Sequence, residues 1–219
     1  MIKPANMYLK RYTSLAVAAD VLINRRISLI SPSLWPDQND KFLIEKYREK
    51  SKLEFVGAVC LTSGPETFHH WKTFADGPNG VCIQFDRAEL ERYVAPHTGV
   101  RMGPIRYVKI DQVASIPCGD ISDLPFLKRY GFADEREYRI IYGGPAATGV
   151  YHVPIDLTCV RGLILGPFVN DQLFDSIRSM LRKIDDCHSI TVTRSRLIDS
   201  NTWQKRWTRR LSDSNGGLA

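Results

Sequence analysis

A mixed α+β fold, with mostly antiparallel strands and short flanking helices, is what this sequence predicts. Three observations lead there. Strand-like runs outnumber helical ones, the connections between them are mostly short, and strands do not alternate regularly with long helices as they would in a doubly wound sheet. With 219 residues, 43% of them hydrophobic, the chain can bury a substantial core. No internal repeat and no Gly-Ser or Pro-rich linker divides it, so residues 1–193 read as one domain and 194–219 as a basic, Trp-containing tail, partly disordered.

The elements follow in order. Ser14 caps a helix whose apolar positions Leu15, Ala18, Ala19, Leu22 and Ile23 have helical spacing, and Ile27 to Ile30 is a short strand, so the chain opens as strand, helix, strand. Residues 31–40 are dense in turn formers, and a charged helix runs from Lys41 to Lys52. Phe55 to Leu61 is a nearly continuous apolar run, the mark of a strand covered on both faces. Phe68, Trp71 and Ala75 have helical spacing, and Gly77 with Pro78 ends that helix. Gly80 to Phe85 reads as a buried strand, Arg87 to Val94 as a short helix, and Ile105 to Ile110 as an alternating strand. After a Pro- and Asp-rich connection over 111–125, further strands fall at 135–142, 150–155 and 160–165. Asn170 or Asp171 caps a helix with the stripe Leu173, Ile177, Met180, Leu181 and Ile184, and Ser189 to Val192 closes the ordered part as a strand.

Composition narrows the function classes. Five scattered cysteines with no Cys-x-x-Cys pair argue against a disulfide framework and a zinc site, and suit a reducing cytoplasm. No run approaches the roughly 20 apolar residues that span a bilayer, and no signal peptide is read. A formal net charge of +6 favours an anionic ligand or nucleic acid. There is no phosphate loop, no Gly-x-Gly-x-x-Gly after a strand and no Gly-x-Ser-x-Gly elbow. His69 and His70 lack the spacing that puts two imidazoles on one helical face, so no metal is expected, and Cys60 and Cys82 sit in apolar runs where a thiol is inert.

The segment Glu135-Arg136-Glu137-Tyr138-Arg139-Ile140-Ile141-Tyr142 carries the chemistry. In a strand, Glu135, Glu137 and Arg139 share one face while Arg136, Tyr138, Ile140 and Tyr142 take the other. Carboxylates held so close shift each other's pKa values and can divide two jobs, one stabilising positive charge and the other handling a proton. The competing reading is a solvated strand edge whose acids pair with Arg136 and Arg139.

Several segments taken together resemble a known family. They are Tyr8 to Leu15, Ser31-Pro32 ahead of the loop Trp35 to Asp40, His70-Trp71-Lys72-Thr73-Phe74-Ala75-Asp76-Gly77 leading into Gly80 to Asp86, and Glu135-x-Glu137-Tyr138-Arg139 followed by Leu163 to Pro167. This ordered set is similar to the bacterial and phage family catalogued as domain of unknown function 2971, over roughly residues 7 to 168. Two positions depart from it: Phe74 stands where tyrosine is common, and the loop reads Trp-Pro-Asp-Gln-Asn-Asp instead of an Asn-Asp-Pro-type turn. A weaker similarity, to ADP-ribosyltransferases of the Arg, Ser, Glu-x-Glu type, implies an ADP-ribosyltransferase-like fold and an activity that uses NAD as substrate. It matches Arg11 to the first motif, Ser31 to the second, and Glu135 with Glu137 to the third.

That resemblance assigns roles. Glu137 would stabilise the positive charge that develops on the ribose as nicotinamide leaves, and Glu135 would orient or deprotonate the acceptor. Arg11 would meet the pyrophosphate, with Thr13 and Ser14 adding donors; Arg139 and Ser31 complete the NAD-binding set, and Tyr12, Trp71 or Phe74 would stack on nicotinamide. Each has a plainer alternative: Arg11 a surface cation, Ser14 a helix cap, Trp71 a core anchor. From Arg194 to Arg210 six Lys or Arg residues accompany Trp203 and Trp207. This tail either tracks phosphates and stacks on bases, favouring an RNA or DNA acceptor, or pins a terminal helix to the domain. The resemblance further implies a toxin or phage-defence role and a possible antitoxin partner. Two rivals stand beside the transferase: a non-catalytic nucleic-acid- or nucleotide-binding module, and an NAD glycohydrolase that shares the site without an acceptor.

Overall fold

The computed structural model describes residues 7–75, 77–116, 120–145 and 149–215. Strand β1 (Tyr8–Ser14) leads into helix α1 (Leu15–Asn24), whose first turn is capped by the Ser14 hydroxyl accepting from the Val17 amide, and then into β2 (Arg26–Ile30). Helix α2 (Gln38–Lys50) begins three residues before the expected Lys41 because the Asp37 carboxylate accepts from the amides of Asn39 and Asp40. Then come β3 (Phe55–Thr62), α3 (Phe68–Phe74), β4 (Gly80–Asp86), α4 (Arg87–Val94), β5 (Val100–Pro104), β6 (Arg106–Val108), β7 (Leu127–Arg129), β8 (Glu137–Gly144), β9 (Val150–Pro154), β10 (Val160–Leu165), α5 (Asp171–Arg182), β11 (Thr191–Arg194) and α6 (Asn201–Asn215).

The strands form one long sheet that divides at β3. On one side β1 pairs antiparallel with β4 over its whole length, from Tyr8↔Asp86 to Ser14↔Gly80; β4 pairs antiparallel with β10, and β10 parallel with β11. On the other side β3 pairs antiparallel with β8 from Phe55↔Gly144 to Thr62↔Glu137, and β5 flanks β8. Among the described residues the halves are joined at Lys10↔Thr62, while Ile30↔Ala58 attaches the β2–β9 pair. Among the described residues the only parallel pairs are β10–β11 and the separate β6–β7 ribbon. The architecture is the mixed, mostly antiparallel α+β fold that the residue pattern predicts.

The main core lies between the sheet halves and α1, α4 and α5, where Leu9, Val59, Leu61, Ile83, Phe85, Tyr138 and Ile140 meet Leu22, Leu90 and Leu181. The other face of β3 and β8 carries Val56, Ala58 and Ile141 against Ile44 and Tyr47 of α2. Strand β3 is therefore covered on both sides, which is why its sequence is continuously apolar. A third cluster joins Tyr12, Trp71 and Cys82 beneath α3.

Four expectations are corrected. The strand expected at 105–110 is split: β5 ends at Pro104, and only Arg106–Val108 pairs again before a 3-10 turn over Ile110–Ser115. The connection 111–125 runs into β7, which pairs parallel with β6, a non-local partnership without local signature. Strand β8 starts at Glu137, since Glu135 ends a 3-10 turn and Arg136 at φ 44° breaks the extended run. The last strand is Thr191–Arg194, and it does not close the ordered part because α6 follows. Residues 216–219, the end of the terminus expected to be disordered, and Cys118 lie outside the described residues.

Candidate active site

Residues Glu137 and Arg139 share the α2 face of β8, as alternation requires, while Tyr138, Ile140 and Tyr142 fill the main core. The αL residue Arg136 swings the preceding turn so that Glu135 reaches the same spot without belonging to the strand. Residues from two other elements complete the cluster. Lys128 of β7 donates to Glu135 Oε2 at 2.5 Å and to Glu137 Oε2 at 3.0 Å, and Asp40 of α2 takes a two-pronged bond from Arg139 at 2.9 and 2.7 Å. Arg139 Nε donates to Glu137 Oε1 at 2.7 Å, and Nη1 also donates to the Pro125 carbonyl at 2.7 Å. Nη2 lies 2.7 Å from Glu137 Oε1 as well, an ion pair beside the four hydrogen bonds that the guanidinium donates. Arg139 is 0% exposed, and the Trp35 ring lies 5.0 Å from its charge centre.

The two glutamates feel opposite fields. Burial pushes the Glu137 carboxyl up, but the charges of Arg139 and Lys128 outweigh it and hold its pKa below the ordinary glutamate value. Burial wins at Glu135, with Lys128 opposing and Glu137 adding to it, so its pKa is raised. Three carboxylates (Asp40, Glu135, Glu137) against two cations (Lys128, Arg139) leave one net negative charge in a buried space. Burial raises the pKa of Asp40 as well as that of Glu135, so these two carboxyls, not Glu137, are the ones disposed to take the proton that removes it.

Arg11 lies on β1, opposite Ile83 of β4. Cys60 is the neighbour of Arg139 in the β3–β8 register, and its thiol lies within electrostatic reach of both Glu137 and Arg11. Burial, followed by Glu137, keeps the thiol neutral. Burial also lowers the Arg11 pKa to about 10, and its Nη1 is buried without a hydrogen-bond partner. Such an orphaned donor is rare enough to call for an explanation.

The remaining predicted residues separate. Tyr12 points to the opposite side of β1 from Arg11, stacked on His70 at 5.0 Å and edge-on to Trp71 at 4.9 Å, with Cys82 its neighbour across the β1–β4 register. Trp71 is 1% exposed, and its indole donates to Glu66 at 2.7 Å. Thr13 is buried, Ser14 caps α1, and Ser31 accepts from the Ser33 amide at 3.3 Å to cap a short 3-10 turn. Phe74 is partly exposed, 6.0 Å from His69 and 6.1 Å from His70. The structure thus brings Glu135, Glu137 and Arg139 together, places Arg11 within electrostatic reach of Cys60, the β3 neighbour of Arg139, and leaves Ser14 and Ser31 to local capping.

Sequence reasoning missed Asp40, Lys128 and His70. Buried His70 has a lowered pKa and is neutral; its Nε2 lies 3.3 Å from the Glu135 carbonyl, which can only accept, so Nε2 carries the proton and Nδ1 receives the Thr67 hydroxyl at 2.6 Å. The Thr62 hydroxyl donates to the same carbonyl at 2.7 Å. Two side chains thereby fix the Glu135 turn. The signal for them lay in the motif block His70-Trp71, which alternation on α3 could not connect to residue 135.

Fold and site together define a mixed α+β protein with a buried glutamate pair of opposed acidities. No family model matches the sequence, and no curated protein matches it. Among solved structures the chain is similar to Thermus sp. 2.9 DarT in complex with ADP-ribosylated ssDNA, at TM-score 0.45 and 9% identity over 89% of this chain and 97% of that one. It is similar also to the same protein's complexes with NAD+ and with carba-NAD+, each at TM-score 0.44 and 8% identity over 88% of this chain and 96% and 97% of those. Among the described residues no helix is long and apolar enough to cross a membrane, and no group of His, Cys, Asp or Glu is arranged to hold a metal ion.

Proposed function

We propose that this chain is an NAD-dependent ADP-ribosyltransferase acting on a macromolecular acceptor, nucleic acid before protein. The observation that carries this reading is the buried, unpartnered Nη1 of Arg11, a cation within electrostatic reach of Cys60, which pairs with Arg139 across β3 and β8. A buried arginine nitrogen without an acceptor fits an anion, and the pyrophosphate of NAD supplies one. The opposed acidities of the glutamates match the two tasks of the reaction. Glu137, held ionised, is suited to stabilise positive charge at the ribose C1′ as the bond to nicotinamide breaks and its electrons leave with the ring. Glu135, with its raised pKa, is suited to take the proton of the acceptor nucleophile as that atom's lone pair bonds C1′. Lys128 stands on both acids, so ribose hydroxyls must take its place on Glu137 Oε2 for this geometry to be used. Arg139, fully buried and bonded to Asp40, Glu137 and the Pro125 carbonyl, acts as a positioning residue. A toxin or phage-defence role belongs to the same reading.

The rival with an observation behind it is a non-catalytic nucleotide- or nucleic-acid-binding module, favoured by the mutual saturation of Arg139, Asp40, Lys128 and the glutamates. The deciding experiment incubates the wild-type protein and its Glu137→Gln variant with labelled NAD plus RNA, DNA or lysate, and follows nicotinamide release and transferred label. Transfer that falls at least about 10²-fold in the variant supports the transferase. Nicotinamide release without transfer identifies a glycohydrolase. Because Glu137→Gln disturbs a buried network, Arg11→Gln is measured beside it by calorimetry, with loss of NAD binding expected. A folded wild-type protein that neither binds NAD nor releases nicotinamide overturns the proposal.

A further inference from the structure

Helix α6 is open to solvent along its length: Trp203 is 65% exposed, Trp207 46%, and every residue from 201 to 212 is exposed. The tryptophans therefore do not pin it to the domain. Residues 201–212 contain Lys205, Arg206, Arg209 and Arg210 and no acid. At 3.6 residues per turn, Trp203, Trp207 and Leu211 lie along one face, and Arg206 and Arg210, each three residues after a tryptophan, share it. The rings of Trp203 and Trp207 meet edge to face at 5.9 Å, which leaves each with a broad π-surface directed outward.

We infer that α6 and the groove at its base form a capture surface for a single-stranded nucleic acid. Two features single out this occupant. First, arginines and tryptophans are interleaved on one face. A helix made for the membrane surface segregates its cations to the side opposite a continuous apolar stripe, whereas a single strand offers unpaired bases for the indoles and phosphates for the adjoining guanidinium groups. Second, a cavity of about 640 Å³ opens where α6 leaves the domain, lined by Glu66, Arg196, Leu197, Ile198, Trp203 and Gln204. That size suits a nucleotide. One wall is an indole, Arg196 provides a cation, and Gln204 and Glu66 provide groups for base edges.

A run of contacting side chains leads from the groove to the candidate active site. Glu66 accepts from the Trp71 indole at 2.7 Å and also from the Ser195 hydroxyl. Trp71 packs edge-on against Tyr12, Tyr12 stacks on His70, and His70 donates to the Glu135 carbonyl at 3.3 Å. A strand seated in the groove thus lies on the α3 side of the molecule, the side from which the Glu135 turn is held. This assignment names the acceptor class of the transferase proposed above and rests on that reading for its catalytic consequence, but the binding itself needs no NAD.

The test is fluorescence anisotropy of labelled 20-nucleotide dT and U oligonucleotides titrated with the full chain in the absence of NAD. Duplex DNA, polyglutamate and anionic phosphatidylserine vesicles serve as competitors. Tight binding of either single strand is expected, with Trp203→Ala/Trp207→Ala weakening it about 10-fold or more. Arg206→Gln/Arg210→Gln should reduce the slope of log affinity against log salt by about 1.4, two phosphates at roughly 0.7 each. Circular dichroism establishes that the variants are folded. Unchanged affinity in the tryptophan variant, or competition by vesicles or polyglutamate as effective as by the unlabelled strand, overturns the inference. Strand binding by a protein that releases no nicotinamide from NAD would sink the transferase reading and leave this surface standing.

Discussion

Replacing Lys128 by Met removes the cation shared by two buried carboxylates and little else, because the two side chains are close in length and both are apolar along the stem. In the structure Lys128 Nζ lies 2.5 Å from Glu135 Oε2 and 3.0 Å from Glu137 Oε2, and all three side chains are less than a tenth exposed. Deleting one partner of a buried ion pair costs about 3–5 kcal/mol, since the remaining charge has neither water nor counter-ion. For a chain of this size each kcal/mol lowers the melting temperature by about 2–4 °C, so a fall of roughly 6–20 °C is expected at neutral pH. The pH dependence supplies a sharper check. Glu135 already has a pKa raised by burial, and loss of Lys128 raises it further. A carboxyl whose folded pKa lies above its unfolded value contributes stability at low pH that is lost as pH rises through the folded pKa. The deficit of Lys128→Met relative to wild type should therefore be larger at pH 8 than at pH 5, as read by thermal melts followed by circular dichroism. A fall of less than about 2 °C, or a deficit that grows on acidification, would refute the claim that Lys128 neutralises this pair.

Arg139→Lys keeps the charge but forfeits the fork that satisfies Asp40, Glu137 and the Pro125 carbonyl together, and a loss of about 2–4 kcal/mol is expected in urea denaturation. Arg161, paired with Asp86 but with its side chain 47% exposed, should by contrast cost less than about 1 kcal/mol when changed to Ala in the same assay. Burial pushes the Cys82 and Cys159 thiols up to about 12 and raises that of Cys60 as well, so at pH 8 mass-mapped alkylation should label these three far more slowly than a free thiol. Wild-type stability should also fall in acid as pH drops through the depressed folded pKa of Glu137, and Arg139→Lys should flatten that limb in melts taken between pH 3 and 6.

Much of the local structure was legible because short-range physics specifies it. The Ser14 hydroxyl meets an amide three residues on, Arg87 to Val94 has the spacing of a helix, and alternation from Glu137 onward sends Arg139 to one face and Tyr138 to the other. These outcomes depend on neighbours within a turn or a pleat. The same physics accounts for Glu137 and Arg139 as a pair, and the motif order brought Arg11 into consideration.

What the tertiary structure decided is which charges meet. Asp40 reaches Arg139 across 99 residues of chain, and Lys128 comes from a three-residue strand whose parallel partner is non-local. Neither has a distinctive neighbourhood in the sequence, because an ion pair requires proximity in space and imposes no spacing along the chain. The αL turn at Arg136 shows the same division, since it removes Glu135 from the strand and Lys128 brings its carboxylate back to the cluster. Trp71 was legible as an important aromatic, but only packing against Tyr12 and Glu66 made it a buried anchor. The sequence by itself determined the elements, the faces of β8 and the acidic pair. Burial, and with it the opposed acidities of Glu135 and Glu137, came from the tertiary structure alone, because desolvation and Coulombic balance are sums over groups that only the folded chain assembles.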